Sequence, residues 1–222
     1  MAQVTWTALA AVVITMATAS SAGAQTCAGR AGQEAGSIQL SGDYSAVQGV
    51  KQFSVTGGGL GQTGFGGVTL GSISYDDFAG STFVLGAGAG YRLPVGSSGN
   101  AEICPVISGS LGMGPNDIEG TGIDASTRSA QVGLTAGYRI AGGTDIAIIP
   151  TVGAGFTYSS FKLTDGVDSL EDSDTYGALS VGVGLVLGRQ FTALPSVTIP
   201  VGLENADPVV NIGLTLSLGT RR

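Results

Sequence analysis

Residues 209–218 read Val-Val-Asn-Ile-Gly-Leu-Thr-Leu-Ser-Leu, so that Val210, Ile212, Leu214, Leu216 and Leu218 alternate with Val209, Asn211, Gly213, Thr215 and Ser217. Successive side chains of a β-strand point to opposite faces, which gives this stretch one apolar face and one face dominated by small polar groups. The same period of two runs through 179–187, where Leu179, Val181, Val183, Leu185 and Leu187 alternate with Ser180, Gly182, Gly184 and Val186. It recurs at 131–140, with Val132, Leu134, Ala136, Tyr138 and Ile140 on one side and Gln131, Gly133, Thr135, Gly137 and Arg139 on the other. A soluble sandwich or barrel would turn the apolar face inward and show water a charged face. Here the second face is glycine and hydroxyl with few charges, a poor surface for water. A membrane barrel inverts the arrangement, with apolar side chains against lipid and small polar ones in the lumen. The inverted arrangement fits better; a secreted soluble β protein is the alternative.

Composition agrees. The chain has 222 residues, a length that suits one domain or one barrel. Glycine supplies 39 of them, against an ordinary share of about 7%. Only 11% of residues are charged while 43% are hydrophobic, the opposite of a disordered chain. The glycines keep no period of three, which excludes collagen. There is no histidine, so Ser-His-Asp hydrolysis, Cys-His chemistry and histidine-ligated zinc or haem are excluded. A net charge of −7 argues against a nucleic-acid partner. The strings Gly57-Gly58-Gly59-Leu60-Gly61 and Gly86-Ala87-Gly88-Ala89-Gly90 lack the Lys-Ser/Thr of a phosphate loop.

Residues 1–24 read as a signal peptide. The apolar run Ala8 to Ala17 ends in small residues, and Ala22-Gly23-Ala24 forms an A-x-A box before Gln25. We therefore expect export, cleavage after Ala24, a short N-terminal periplasmic segment at 25–35 and a barrel over 36–222. No later apolar stretch reaches the length of a spanning helix, so entry into a membrane must be as a closed sheet.

Alternation predicts ten strands, at 37–45, 51–59, 65–76, 82–93, 101–113, 127–140, 145–158, 175–188, 196–204 and 208–218; eight strands with an N-terminal extension is the alternative. Short connections at 60–64, 94–100, 141–144 and 189–195 alternate with a set that includes long polar segments at 114–126 and 159–174. Short periplasmic turns and long outer loops are expected of an outer-membrane barrel. Gly90-Tyr91-Arg92 returns as Gly137-Tyr138-Arg139, and Cys104-Pro105-Val106 as Ile149-Pro150-Thr151 and Ile199-Pro200-Val201, a hairpin-sized repeat. Each of these prolines removes a ladder hydrogen bond and is expected at a local distortion.

The leader, the period-two strands, the alternating connections and the lumen of Gly, Ser and Thr together resemble the small bacterial outer-membrane β-barrels of the OmpA, OmpX and OmpW type. The resemblance covers about residues 36–218. It implies an all-β, antiparallel, up-and-down transmembrane barrel in the bacterial outer membrane, surrounded by outer-membrane lipid and lipopolysaccharide and inserted by the barrel-assembly machinery. Such proteins usually end in an aromatic residue, whereas this chain ends Leu218-Gly219-Thr220-Arg221-Arg222.

On that topology Cys27 and Cys104 fall at the same mouth, and an oxidising periplasm makes a Cys27–Cys104 disulfide the expected pairing, with two unpaired thiols the alternative. We expect it to tether the N-terminal segment into the periplasmic opening. Arg92 and Glu102 flank one short turn, Arg139 and Asp145 another, and parity turns all four inward as luminal ion pairs. These serve either to plug the lumen or to form an ion-selective constriction. Acidic residues gather in the outer loops, among them Asp117, Glu119, Asp124, Asp165, Asp168, Glu171, Asp172 and Asp174. The run 165–174 lacks the ligand order of an EF-hand, so no metal is expected, and no cofactor. Tyr91, Tyr138 and Phe191 are expected to form an inner aromatic band, and Tyr75, Phe83, Phe156 and Tyr158 an outer one. The expected role is non-enzymatic, a monomeric structural or surface-interaction barrel with a plugged lumen and acidic outer loops. A small porin-like channel or carrier for small or hydrophobic solutes is the alternative.

Overall fold

The computed structural model describes residues 26–30, 36–61, 63–76, 81–96, 100–114, 123–141, 146–165, 168–188, 190–203 and 206–219. A single 3-10 turn, η1 (Thr26–Ala28), precedes twelve strand segments. They are β1 (Ile38–Val47), β2 (Val50–Leu60), β3 (Gly64–Tyr75), β4 (Ser81–Tyr91), β5 (Leu93–Val95), β6 (Ala101–Met113), β7 (Ile123–Tyr138), β8 (Ile140–Ala141), β9 (Ile146–Asp165), β10 (Asp168–Leu187), β11 (Phe191–Val201) and β12 (Val209–Leu218). All pairings are antiparallel, β12 pairs with β1, and β10 pairs with both β9 and β11, so the ring is closed.

Ten barrel staves account for the twelve segments. β5 continues β4, because Gly90↔Val106 and Leu93↔Ile103 belong to one register against β6. β8 continues β7 in the same way, through Gly137↔Thr151 and Ile140↔Ile148 against β9. The breaks fall opposite Pro105 and Pro150, whose ring nitrogens have no hydrogen to give the ladder. A third break interrupts β10–β11 between Gly182↔Ser196 and Leu185↔Ala193, opposite Pro195. The expected third distortion at Pro200 does not occur, for Pro200 pairs in register with Ala178. The interruptions thus follow Pro105, Pro150 and Pro195, at 45-residue intervals.

Register fixes the shape. Moving from Leu187 to Phe191, Leu216, Leu40, Gly57, Val68, Ala87, Gly109, Ala130 and Tyr158 returns to β10 at Thr175, twelve residues away. With strands ~4.8 Å apart and a rise of ~3.3 Å per residue, that offset over ten strands tilts them by about 40° and sets a backbone diameter of about 20 Å.

Burial shows which way the faces point. Val132, Leu134, Tyr138, Ile140, Leu179, Val181, Val183, Leu185, Leu187, Val210, Ile212, Leu214, Leu216 and Leu218 are all exposed on the outside, while Gln39, Ser41, Ser54, Thr56, Thr69, Thr157 and Thr215 are buried inside. The sheet is inside out relative to a water-soluble barrel. Ile38 pairs with Leu218, which puts both ends of the barrel sequence at one rim.

Two connections differ from expectation. The segment 159–174 is not a long loop: β9 and β10 stay paired to Asp165↔Asp168, and β7 joins them from Ile123↔Asp165. At 20 residues each, β9 and β10 are about 50 Å tall at this tilt, roughly twice the apolar band of an outer-membrane barrel. A three-stranded ribbon therefore stands above the outer rim. Its polar sequence hid it, because above the bilayer neither face needs an apolar period. β11 begins at Phe191, not at 196, since Pro195 lies within the strand and does not open it.

Candidate functional site: a lumen with a tethered plug

The barrel's interior is its most distinctive feature. Cys27 and Cys104 form a disulfide, and the short turn η1 lies inside the mouth at the rim where Ile38 pairs with Leu218. Thr26 N donates to Glu102 Oε2 at 3.1 Å, and Arg92 Nη2 pairs with Glu102 Oε1. Gly29, at a positive φ of 75°, turns the chain and donates back to Thr26 O at 3.1 Å. Arg30 follows, 1% exposed, with Nη1 donating to Gln39 Oε1 at 3.4 Å and Asp43 within electrostatic reach. Leu60 and Phe65 pack against the disulfide, with Val106 beside it.

Two glycines make room for this segment. A β-carbon on Gly137 would collide with the Thr26 carbonyl, and one on Gly184 with the Gly29 carbonyl. The contacts are to backbone, which cannot rotate away. Gly137→Val is therefore expected to push Thr26 off its seat while the Cys27–Cys104 bond still holds η1 and the barrel stays closed. Hydrogen exchange at the Thr26 amide should rise at least tenfold in the variant, with the strand amides of β6 and β7 still protected.

Near the opposite rim an apolar cap packs over one side of the mouth, on β1 to β4 and β12. Val47, Val50, Ile73, Val84 and Val209 are buried against one another, with Tyr75, Leu203 and Ala206 packed on them. Thr82 Oγ1 donates to Gly114 O at 2.6 Å, so the Tyr75 hydroxyl, 3.0 Å away, donates to Thr82. Tyr75 thus points inward and is not part of the outer aromatic band. Between cap and plug the walls carry hydroxyl pairs, Ser41–Thr215 at 3.0 Å, Thr56–Thr69 at 2.8 Å and Ser110–Ser129 at 2.8 Å. A cavity of about 180 Å³ remains, lined among others by Cys27, Asp43, Gln131, Thr135, Ser196 and Asn211.

The expected site residues divide clearly. Cys27 and Cys104 meet, and so do Arg92 and Glu102, with Glu102 buried. Arg139 lies in the short break between β7 and β8, still in register with β9, and is exposed near the rim, so it is no buried luminal ion; Asp145 lies outside the described residues. Asp117 and Glu119 also lie outside them. Asp124, Asp165, Asp168, Glu171, Asp172 and Asp174 are on the strand ribbon and not in loops. Among the described residues no cluster of His, Cys, Asp or Glu is placed to hold a metal ion. The outer aromatic band consists of exposed Phe83, Phe156 and Tyr158 with Tyr44 and Phe53, and Tyr91, Tyr138 and Phe191 are exposed toward the inner rim. Sequence reasoning missed Arg30, the two seat glycines and the valine cap. The cap was detectable in principle, since Ile73 and Tyr75 share parity with the small luminal residues Thr69 and Gly71.

The ring is closed, its apolar side chains face outward, and both rims carry aromatics. The fold is that of an outer-membrane β-barrel. No protein-family model matches the chain, and no curated protein matches it. Among solved structures, the chain resembles the N-terminal β-barrel domain of Pseudomonas aeruginosa OprF at 12% identity and TM-score 0.42, over 84% of this chain and 100% of that one. It also resembles the transport unit of the autotransporter AIDA-I from Escherichia coli, at 13% identity and TM-score 0.49 over 85% and 91% of the two chains. A third is Ail, the attachment invasion locus protein of Yersinia pestis, at 14% identity and TM-score 0.33 over 83% and 100%. These likenesses are of architecture alone.

Proposed function

We propose that this protein is an integral protein of the bacterial outer membrane, exported with cleavage after Ala24, that acts as a closed monomeric scaffold carrying an acidic ribbon at the cell surface. The observation that carries this reading is the disulfide-tethered turn lodged in one mouth of the lumen, with the valine cap narrowing the other. A barrel this narrow keeps little interior beyond its own side chains, and here the tethered turn and the valine cap take up part of that space. Outer-membrane lipid and lipopolysaccharide surround the exposed apolar staves, and the barrel-assembly machinery inserts them. A non-enzymatic role accords with the absence of histidine and with a cavity whose walls are mostly glycine, hydroxyl and aliphatic groups.

That same hydroxyl-lined cavity favours the second reading, a small channel or solute carrier, which needs the tethered turn to move. Planar-bilayer recording separates the two. The oxidised protein is expected to show no unitary steps, and sustained, reproducible open steps would overturn the scaffold in favour of the channel.

A further inference from the structure

The ribbon above the rim has an unfinished edge. β10 pairs with β9 from Asp168 onward but with β11 only from Gly177, opposite Val201. From Asp168 to Tyr176 the strand has a partner on one side only, among the described residues. Eight of these nine positions, Asp168 to Thr175, are at least partly exposed, and Leu170 is 69% exposed. One amide on this edge shows its state: Ser173 N donates to the neighbouring Asp172 Oδ1 at 2.9 Å, a side chain standing where a strand would be. Backbone groups in such a row are a template for another strand, and proteins guard them with charge.

The charge here is of one sign. Asp168, Glu171, Asp172 and Asp174 crowd the edge; Lys162 on β9 stands across from Glu171 and Arg128 sits on β7, so Asp168, Asp172 and Asp174 face no cation across the ladder. A second copy pairing through the same edge would set these carboxylates against their equivalents, which like-charge repulsion disfavours. A strand bearing cations would instead complete the hydrogen bonds and neutralise the carboxylates.

We propose that Asp168 to Tyr176 is a docking edge for an extended basic segment of another protein, added as a further antiparallel strand. This rests on the surface-scaffold reading and names its partner by chemistry. Alternation sets the specificity. Leu170, Asp172 and Asp174 share one face and Glu171 the other, so the partner strand carries cations at two alternate positions and an apolar residue at the next. A further cation lies on its opposite face. Main-chain bonds supply affinity and the side-chain pattern supplies selectivity.

The test uses the oxidised full barrel in detergent micelles and the peptide Thr-Thr-Lys-Thr-Lys-Lys-Val-Thr-Arg. Three controls accompany it: the analogue with Glu for each cation, the basic peptide N-methylated at the alternate amides that would face β10, and the Ser173→Pro variant. Because the Ser173 amide faces the free edge, that variant costs the β9 ladder nothing, and heat-modifiable gel migration confirms that it folds. The basic peptide is expected to bind and to slow amide exchange over 168–176. Affinity should fall at least tenfold for the Glu analogue, for the N-methylated peptide and for Ser173→Pro. Equal binding of the N-methylated peptide would reduce the edge to a patch of charge and overturn the proposal, as would no binding at all. So would a disulfide-linked dimer formed through Glu171→Cys without added peptide. Bilayer recording is separate: a conducting barrel that still binds the peptide refutes the closed scaffold and leaves the docking edge standing.

Discussion

Replacing both Cys27 and Cys104 by serine is expected to lower the stability of the folded barrel by about 4.5 kcal/mol, the loop-closure entropy that a cross-link between residues 77 apart removes from the unfolded chain. The value is an entropic one and assumes no change in the native barrel. Both sulfurs are fully buried, and the two serine hydroxyls replacing them enter an apolar cluster with Leu60 and Phe65, so nothing in the native state offsets the loss. Urea titration followed by circular dichroism in micelles measures it, against the oxidised protein under the same conditions. Freed of its tether, the N-terminal segment keeps the Thr26 to Glu102 and Arg30 to Gln39 bonds and its seats at Gly137 and Gly184, and the η1 amides should exchange faster than any in the strands. An unchanged urea midpoint would show that the disulfide stabilises nothing.

The second large effect lies on the outer surface. Leu134 is 56% exposed in the middle of β7. On a water-soluble protein, arginine at such a site would change stability by less than about 0.5 kcal/mol. Facing the middle of a bilayer, Leu134→Arg is expected to cost about 2–4 kcal/mol. Ser169→Arg, on the ribbon above the membrane, supplies the control and should be near neutral. Reversible unfolding in lipid vesicles measures both, and a neutral Leu134→Arg would contradict the orientation of the sheet.

How much of this was legible in the sequence depended on what each segment touches. Lipid imposes a strict rule, so 131–140, 179–187 and 209–218 announced both their strands and their outward faces. Above the bilayer the rule lapses, and residues 159–174 looked like a loop although they are two paired strands. Pro195 misled at the start of β11, because a proline inside a strand resembles a turn until its neighbour's ladder is seen to break there. Parity and topology together were enough to bring Cys27 to Cys104 and Arg92 to Glu102. They failed for Arg139, since alternation gives a side chain's direction but not how close to the rim, and so how exposed, it ends up. The plug's seats were invisible for a different reason. In a chain with 39 glycines, nothing local marks Gly137 and Gly184 as the two that another backbone crosses.

The central claim is that the apolar faces of the staves meet acyl chains. The chain's one tryptophan is Trp6, so a protein begun after residue 24 is a blank background for a reporter. Leu134→Trp and Leu214→Trp placed in vesicles of brominated lipid should be strongly quenched, while Thr135→Trp, turned to the luminal cavity, should keep its emission. Quenching of Thr135→Trp with Leu134→Trp and Leu214→Trp left bright would mean that the barrel points the other way.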